Sequence, residues 1–182
     1  HAGTTPMPYR KDALYAAAKL LQYLHDELDK LDKALVYTTG EIVCHPNVHT
    51  VIPDFVEFSI DARHEDPNVI EQVVEVIKNM PKEIVGCTTG YERAWSRDTV
   101  YYDEKPVGYV TEAVNELGYS NQRINSGAGH DAQFVSYMMP TTMIFVPSKD
   151  GHSHCEEEFT PVEQCTKGAS VLLNAVLKCD AQ

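Results

Sequence analysis

The chain is short of basic residues: its 182 positions hold 15 Lys and Arg against 27 Asp and Glu, a formal charge of −12. A surface of that sign offers no basic patch to neutralise phosphates, which argues against nucleic acid as a partner. The chain also lacks any apolar run approaching the roughly 18 residues that cross a bilayer, and no signal-peptide pattern is visible, so no membrane partner is expected. Its five cysteines, Cys44, Cys87, Cys155, Cys165 and Cys179, contain no C-x-x-C pair and are odd in number. Reduced thiols in a cytoplasmic, soluble protein are the simplest account. What is present, 43% hydrophobic and 23% charged residues, is ordinary for a globular protein with one core or two small ones.

Read in order, Pro6 and Pro8 forbid a regular helix at the start. Leu14, Ala17, Leu21, Leu24, Leu28 and Leu31 recur every three or four positions, so residues 9–31 read as an amphipathic helix. Residues 34–43 and 54–63 read as strands; in the second, Val56, Phe58, Ile60 and Ala62 alternate with polar residues. Arg63 closes the polar face, where a guanidinium can clamp a carboxylate through two parallel hydrogen bonds. On pattern alone, a surface ion pair with Asp61 or Glu57 is the better guess. Asp66 and Pro67 open a second helix that buries Val69, Ile70, Val73, Val74 and Ile77 and stops before Pro81. Residues 84–95 read as a further strand. Helix, two strands, helix, strand makes an α+β layer with antiparallel pairing over residues 1–98.

Residues 97–106 read as a linker. Beyond it, 107–117 reads as a helix stopped by Gly118, and 119–124 as a strand. The stretch Ser126 to Glu158 then organises the second half. Ser126 to Ala132 (SGAGHDA) is a glycine-rich turn into a short helix over 131–138, where Gly127 and Gly129 allow close approach of an anion to backbone N–H groups. A plain strand-to-helix turn would use glycine too. TTMIFV (141–146), fenced by Pro140 and Pro147, reads as a buried strand, and PSKDGHSHCEEE (147–158) as a polar loop at its carboxyl end. Such loops commonly carry chemistry in α/β proteins. There His154 is either a ligand for a divalent ion or a solvated loop histidine. The last helix starts at Thr160 with Pro161 and Glu163 in a capping-box pattern and is expected to bury Val162, Ala169, Leu172, Leu173 and Val176.

SGAGHDA, MIFVPS and G-x-S-H-x-x-E, together with HAGTTPM (His1 to Met7), occur in this order and resemble the amidase/hydantoinase/carbamoylase family of dinuclear-metal amidohydrolases. That family includes N-carbamoyl-L-amino-acid hydrolases and allantoate amidohydrolases. The resemblance covers essentially the whole chain. It implies a mixed α/β and α+β fold: an α+β lid and dimerisation domain over residues 1–98, lacking its first strand, then over 99–182 the C-terminal part of a metallo-aminopeptidase-like catalytic domain. Because the chain opens at His1 inside a motif, a fragment of a longer enzyme is expected, inactive by itself.

The implied reaction is hydrolysis of a carbamoyl or ureido C–N bond. In the complete enzyme two divalent ions, zinc or else manganese, cobalt or nickel, would acidify a shared water and polarise the carbonyl. His154 matches a metal ligand and Glu157 the glutamate behind it. His1 and His130 match catalytic positions, and Arg63, Thr50, Gly127 and Gly129 substrate-binding ones, with Arg63 gripping the substrate carboxylate. The resemblance also implies a homodimer through the lid. Two departures stand out: Thr50 replaces the family's asparagine, so that Asn47 or His49 substitutes or substrate preference is altered, and Glu156 replaces its proline. The alternative from another class is a non-catalytic dimerisation or binding module that has lost the metal half.

Overall fold

In the computed structural model, which describes residues 1–181, the chain divides into two compact units, His1–Thr99 and a second beginning at Val100. The first is built on α1 (Ala13–Leu28) and α2 (Pro67–Lys78). Asp12 starts α1 by accepting hydrogen bonds from the Leu14 and Tyr15 amides, and Asp66 starts α2 through the Asn68 amide, with Pro67 in the first turn. These caps satisfy amides that have no partner inside a helix. The α1 stripe is Ala16, Ala17, Leu20, Leu24 and Leu28, displaced from the expected one: Leu14 is exposed and Leu21 only half-buried.

Strands β1 (Val36–Thr38) and β2 (Ile42–His45) pair antiparallel with β4 (Asp61–Arg63) and β3 (Phe55–Phe58). Each expected long strand is therefore broken in two. Between the Thr38–Asp61 and Ile42–Phe58 pairs, residues 39–41 face only 59–60, one extra residue on the first side, as in a bulge. Ser59 holds the break twice, its amide donating to the Glu41 carbonyl at 3.0 Å and its hydroxyl accepting from the Glu41 amide at 3.1 Å. Because the extra residue lies on the other strand, the alternation through Phe58, Ile60 and Ala62 survives, and these three pack toward Leu20, Leu24, Leu28, Leu35, Val69, Val73 and Met80.

Residues 84–95 do not form one strand. Glu83–Ile84 (β5) and Cys87–Thr88 (β6) make a hairpin whose turn residues Val85 and Gly86 have φ of 54° and 73°. Two left-handed positions match the twist of a two-residue hairpin, but valine is an unusual choice for one. That hid the turn from pattern reading.

The second unit consists of α3 (Glu104–Glu116), α4 (Asp131–Ser136) and α5 (Val162–Asp180). Its core joins Tyr109, Ala113 and Val114 of α3 to Val171 and Ala175 of α5, with Ile144 against them. Lys178 continues the seam, 2.6 Å from the Glu116 carboxylate and 3.6 Å from Glu112, and these carboxylates, Glu116 first, raise its pKa. Three expectations fail here. Residues 119–124 and 141–146 form no strand among the described residues, for a strand is defined by its ladder and this unit supplies no neighbour for one. The α5 cap is Pro161 without a side-chain bond, not a capping box. Finally, Val162, Ala169, Leu172, Leu173 and Val176 are all exposed. The helix carries two apolar stripes, and α3 covers the one with Val171 and Ala175, while Gly168 leaves room for Val146.

Candidate functional site

Site candidates occur in both units. In the first, the Arg10 guanidinium donates to the Thr5 carbonyl at 2.9 Å and to the Ala2 carbonyl, pinning the opening turn. The Ala2 amide donates to the Thr50 carbonyl at 2.8 Å, so the HAGTTPM and TVIP segments lie side by side. His1 and Thr50 are thus neighbours along the backbone, and the His1 Nδ1 accepts from the Gly3 amide at 3.0 Å. Arg10 was not singled out from sequence; an arginine two positions after a proline-broken turn was the available sign. Arg63, at the end of β4, meets Asp61 through Nε at 3.1 Å and Nη2 at 2.6 Å. This is the ion pair that the pattern favoured. It lowers the Asp61 pKa and raises that of Arg63, each chiefly through their hydrogen bond.

In the second unit, Ser126 Oγ accepts from the Ala128 amide at 3.2 Å and folds the glycine turn. Gly127 and Gly129 are not among the left-handed residues, and a Cβ at Gly127 would meet nothing within 4 Å. Backbone torsion therefore does not demand glycine at position 127. His130 caps α4: its Nδ1 accepts from the Ala132 amide at 3.0 Å, while Gln133 Oε1 accepts from the His130 amide at 3.4 Å. With Nδ1 used as acceptor, the neutral ring carries its proton on Nε2, a donor directed away from the helix end.

The loop carrying His154 is closed at its base by the Lys149 amide on the Phe159 carbonyl at 2.8 Å, and inside by Ser148 Oγ on the His152 carbonyl at 2.6 Å. Asp150, Gly151 and His154 take positive φ, the last at 60°. A non-glycine residue in that region is uncommon and must be held there. Glu158 holds it, its Oε2 accepting from the His154 amide at 2.8 Å. Sequence reading did not single out Glu158 for this contact, which depends on the left-handed backbone at His154. Glu157 lies instead with His152 and Cys155, whose ligand-type atoms are all within 4.8 Å of one another. His154 is exposed and belongs to no such three-ligand group among the described residues.

A helix-backed antiparallel ribbon and a helical unit that carries a histidine loop define a protein of mixed helices and strands. The chain belongs to peptidase family M20/M25/M40, whose sequence profile matches residues 10–178. An allantoate amidohydrolase from Bacillus subtilis is 38% identical over 184 residues, covering 98% of this chain and 44% of that enzyme. An N-carbamoyl-L-amino-acid amidohydrolase from Paenarthrobacter aurescens is 31% identical over 183 residues, covering 99% and 44%. Among solved structures, an amidase of the hydantoinase/carbamoylase family from Burkholderia multivorans matches with a TM-score of 0.77 at 37% identity, over 98% of this chain and 44% of that one. AtUAH in complex with glyoxylate matches with a TM-score of 0.87 at 28% identity, over 100% and 44%. The chain spans less than half the length of these relatives. The resemblance read from the four motifs holds at the level of the family.

Proposed function

We propose that this chain takes part in hydrolysing the carbamoyl or ureido C–N bond of N-carbamoyl-L-amino acids or allantoate-like ureides. The observation that carries the reading is His154: an exposed imidazole on a closed loop, fixed at its backbone by Glu158, within a chain 38% identical to an allantoate amidohydrolase. An imidazole with no hydrogen-bond partner among the described residues fits zinc, manganese, cobalt or nickel as one ligand, and two such ions form part of the proposal. When bound, they supply carbonyl polarisation and an acidified water.

The chain's own residues do the rest. Arg63 pairs the substrate carboxylate, which must share or displace Asp61. His130 offers Nε2–H to a developing negative oxygen, and the open space at Gly127, with Gly129 beside it, leaves room for substrate against the turn. His1 and Thr50, joined through Ala2, are assigned to the substrate as well, and Glu157 to support of the metal-binding loop. We assign the first unit as a lid that forms a homodimer through exposed apolar residues of its ribbon, among them Val36, Ile42 and Phe55. Among the described residues no helix is long and apolar enough to cross a membrane, and a cytoplasmic location belongs to the same proposal.

The test is ammonia release by the protein expressed from the complete reading frame that encodes these residues, with N-carbamoyl amino acids and allantoate as substrates. Turnover of at least one is expected, with Arg63→Lys raising KM about 10-fold or more through loss of the two-pronged contact. No turnover of any ureido compound by the metal-loaded protein would instead favour the binding-module alternative.

A further inference from the structure

Two side chains beside His154, those of His152 and Cys155, are left over by this account, and Glu157 lies with them. His152, Cys155 and Glu157 are exposed, and their ligand atoms lie within 4.8 Å of one another. Cys155 Sγ is 3.8 Å from His152 Nδ1. In tetrahedral coordination, bonds of about 2.3 Å to sulfur and about 2.05 Å to nitrogen place those two atoms about 3.6 Å apart. The observed spacing needs only a small adjustment to become one edge of such a site.

The backbone that presents these groups is already closed. Ser148 Oγ donates to the His152 carbonyl at 2.6 Å, and the Glu158 amide donates to the Cys155 carbonyl at 3.1 Å. The positive φ of His154 turns the chain between Ser153 and Cys155 and brings the thiol back to the His152 ring. An ion binding there meets ligands whose ordering is largely complete, which lowers the entropic cost of coordination. Glu156 and Glu158 add negative charge to the same segment and favour a cation.

We propose that His152, Cys155 and Glu157 form a binding site for a thiophilic divalent ion of the zinc and cadmium class. It is separate from any ion held by His154, whose ring is not one of the three ligands. The sulfur coordinates as thiolate and its proton passes to solvent; three protein ligands leave a fourth position for water. One soft sulfur with one imidazole and one carboxylate selects zinc or cadmium over magnesium or calcium, which prefer all-oxygen shells. The ion would clamp the backbone on both sides of His154 and so rigidify the segment proposed to serve catalysis. The site itself does not depend on the hydrolase reading.

Cadmium titration of the 182-residue chain, followed by thiolate-to-metal charge-transfer absorbance, tests this. One equivalent should produce the band. His152→Ala and Cys155→Ser should each weaken binding roughly 100-fold and Glu157→Gln less, since each removes or softens one of three ligands. His154→Ala, Cys165→Ser and Cys179→Ser should leave it unchanged. Because the three ligands are exposed, circular dichroism should show the variants folded like the parent. A band that survives Cys155→Ser, or that vanishes with His154→Ala, overturns the proposal. Loss with His154→Ala would assign the ion to the His154 site, and ureide turnover would then stand or fall separately.

Discussion

The two units spend similar sequence in different ways. The first closes its backbone: both long segments of its ribbon are paired, and apolar residues from two helices and the ribbon meet over Leu28, which is 0% exposed. The second has a core of two helices with Ile144, and the apolar segment 142–146 runs beside it with no ladder. Ile124, Phe134, Tyr137, Met138, Phe145, Leu172, Leu173, Val176 and Leu177 stay exposed there. The contrast teaches that an apolar pattern fixes which residues can be buried, whereas burial itself needs a partner surface.

The sharpest way to break this comparison is Leu28→Ala. Removing a fully enclosed side chain that cannot be replaced by collapse should cost about 2–5 kcal/mol in the first unit. Chemical denaturation followed by a probe in each unit should show the loss in the first and not the second; equal loss in both would mean that their stabilities are not separable. Hydrogen exchange should likewise be slow in the ribbon amides of Val43 and Glu57 and fast at 142–146.

A smaller effect should come from Gly168→Ala in α5. Helix propensity favours alanine by about 0.5–1 kcal/mol, but the new Cβ would stand 2.6 Å from Val146 Cγ1. Val146 is a stiff side chain just before the His154 loop, so a net destabilisation of about 1 kcal/mol is expected, measured as a lowered melting temperature. A rise in melting temperature would show that segment 142–146 yields freely. The loop can be probed more gently by Glu158→Ala, which frees the His154 amide. Turnover should fall about 10-fold or more, while Glu158→Gln, which keeps an acceptor, should retain most of it.

The smallest effect is a pH dependence confined to the first unit. Tyr37 donates to Asp29, and burial first, with Asp29 second, pushes its phenol up to about 12. A raised pKa means that the stabilisation is present below the ordinary tyrosine value near 10 and lost as pH rises toward 12. Tyr37→Phe should abolish the latest tyrosinate absorbance step and flatten stability over that range. An unchanged late step would reassign it to another tyrosine, Tyr102 being also raised by burial.

Legibility in the sequence followed the same divide. Asp66 with Pro67 announced the start of α2, and the 56/58/60/62 alternation announced the buried side of its strand, because caps and period-two patterns are local physics. The 39–41 break and the Val85–Gly86 turn were illegible, since each depends on pairing across strands or on a valine in an unfavoured conformation. The buried stripe of α5 was misread because two apolar stripes compete and only α3 decides between them. In the candidate site, the motif pointed to His154 but not to the Glu158 carboxylate that accepts its backbone amide, a contact that depends on backbone geometry.

The most direct test of the central claim is ureide turnover and bound divalent metal, measured side by side in the protein expressed from the complete reading frame and its His154→Ala variant. The account requires His154→Ala to lose turnover by at least about 100-fold together with catalytic metal, while circular dichroism stays unchanged. Turnover and metal content equal to the parent would contradict it.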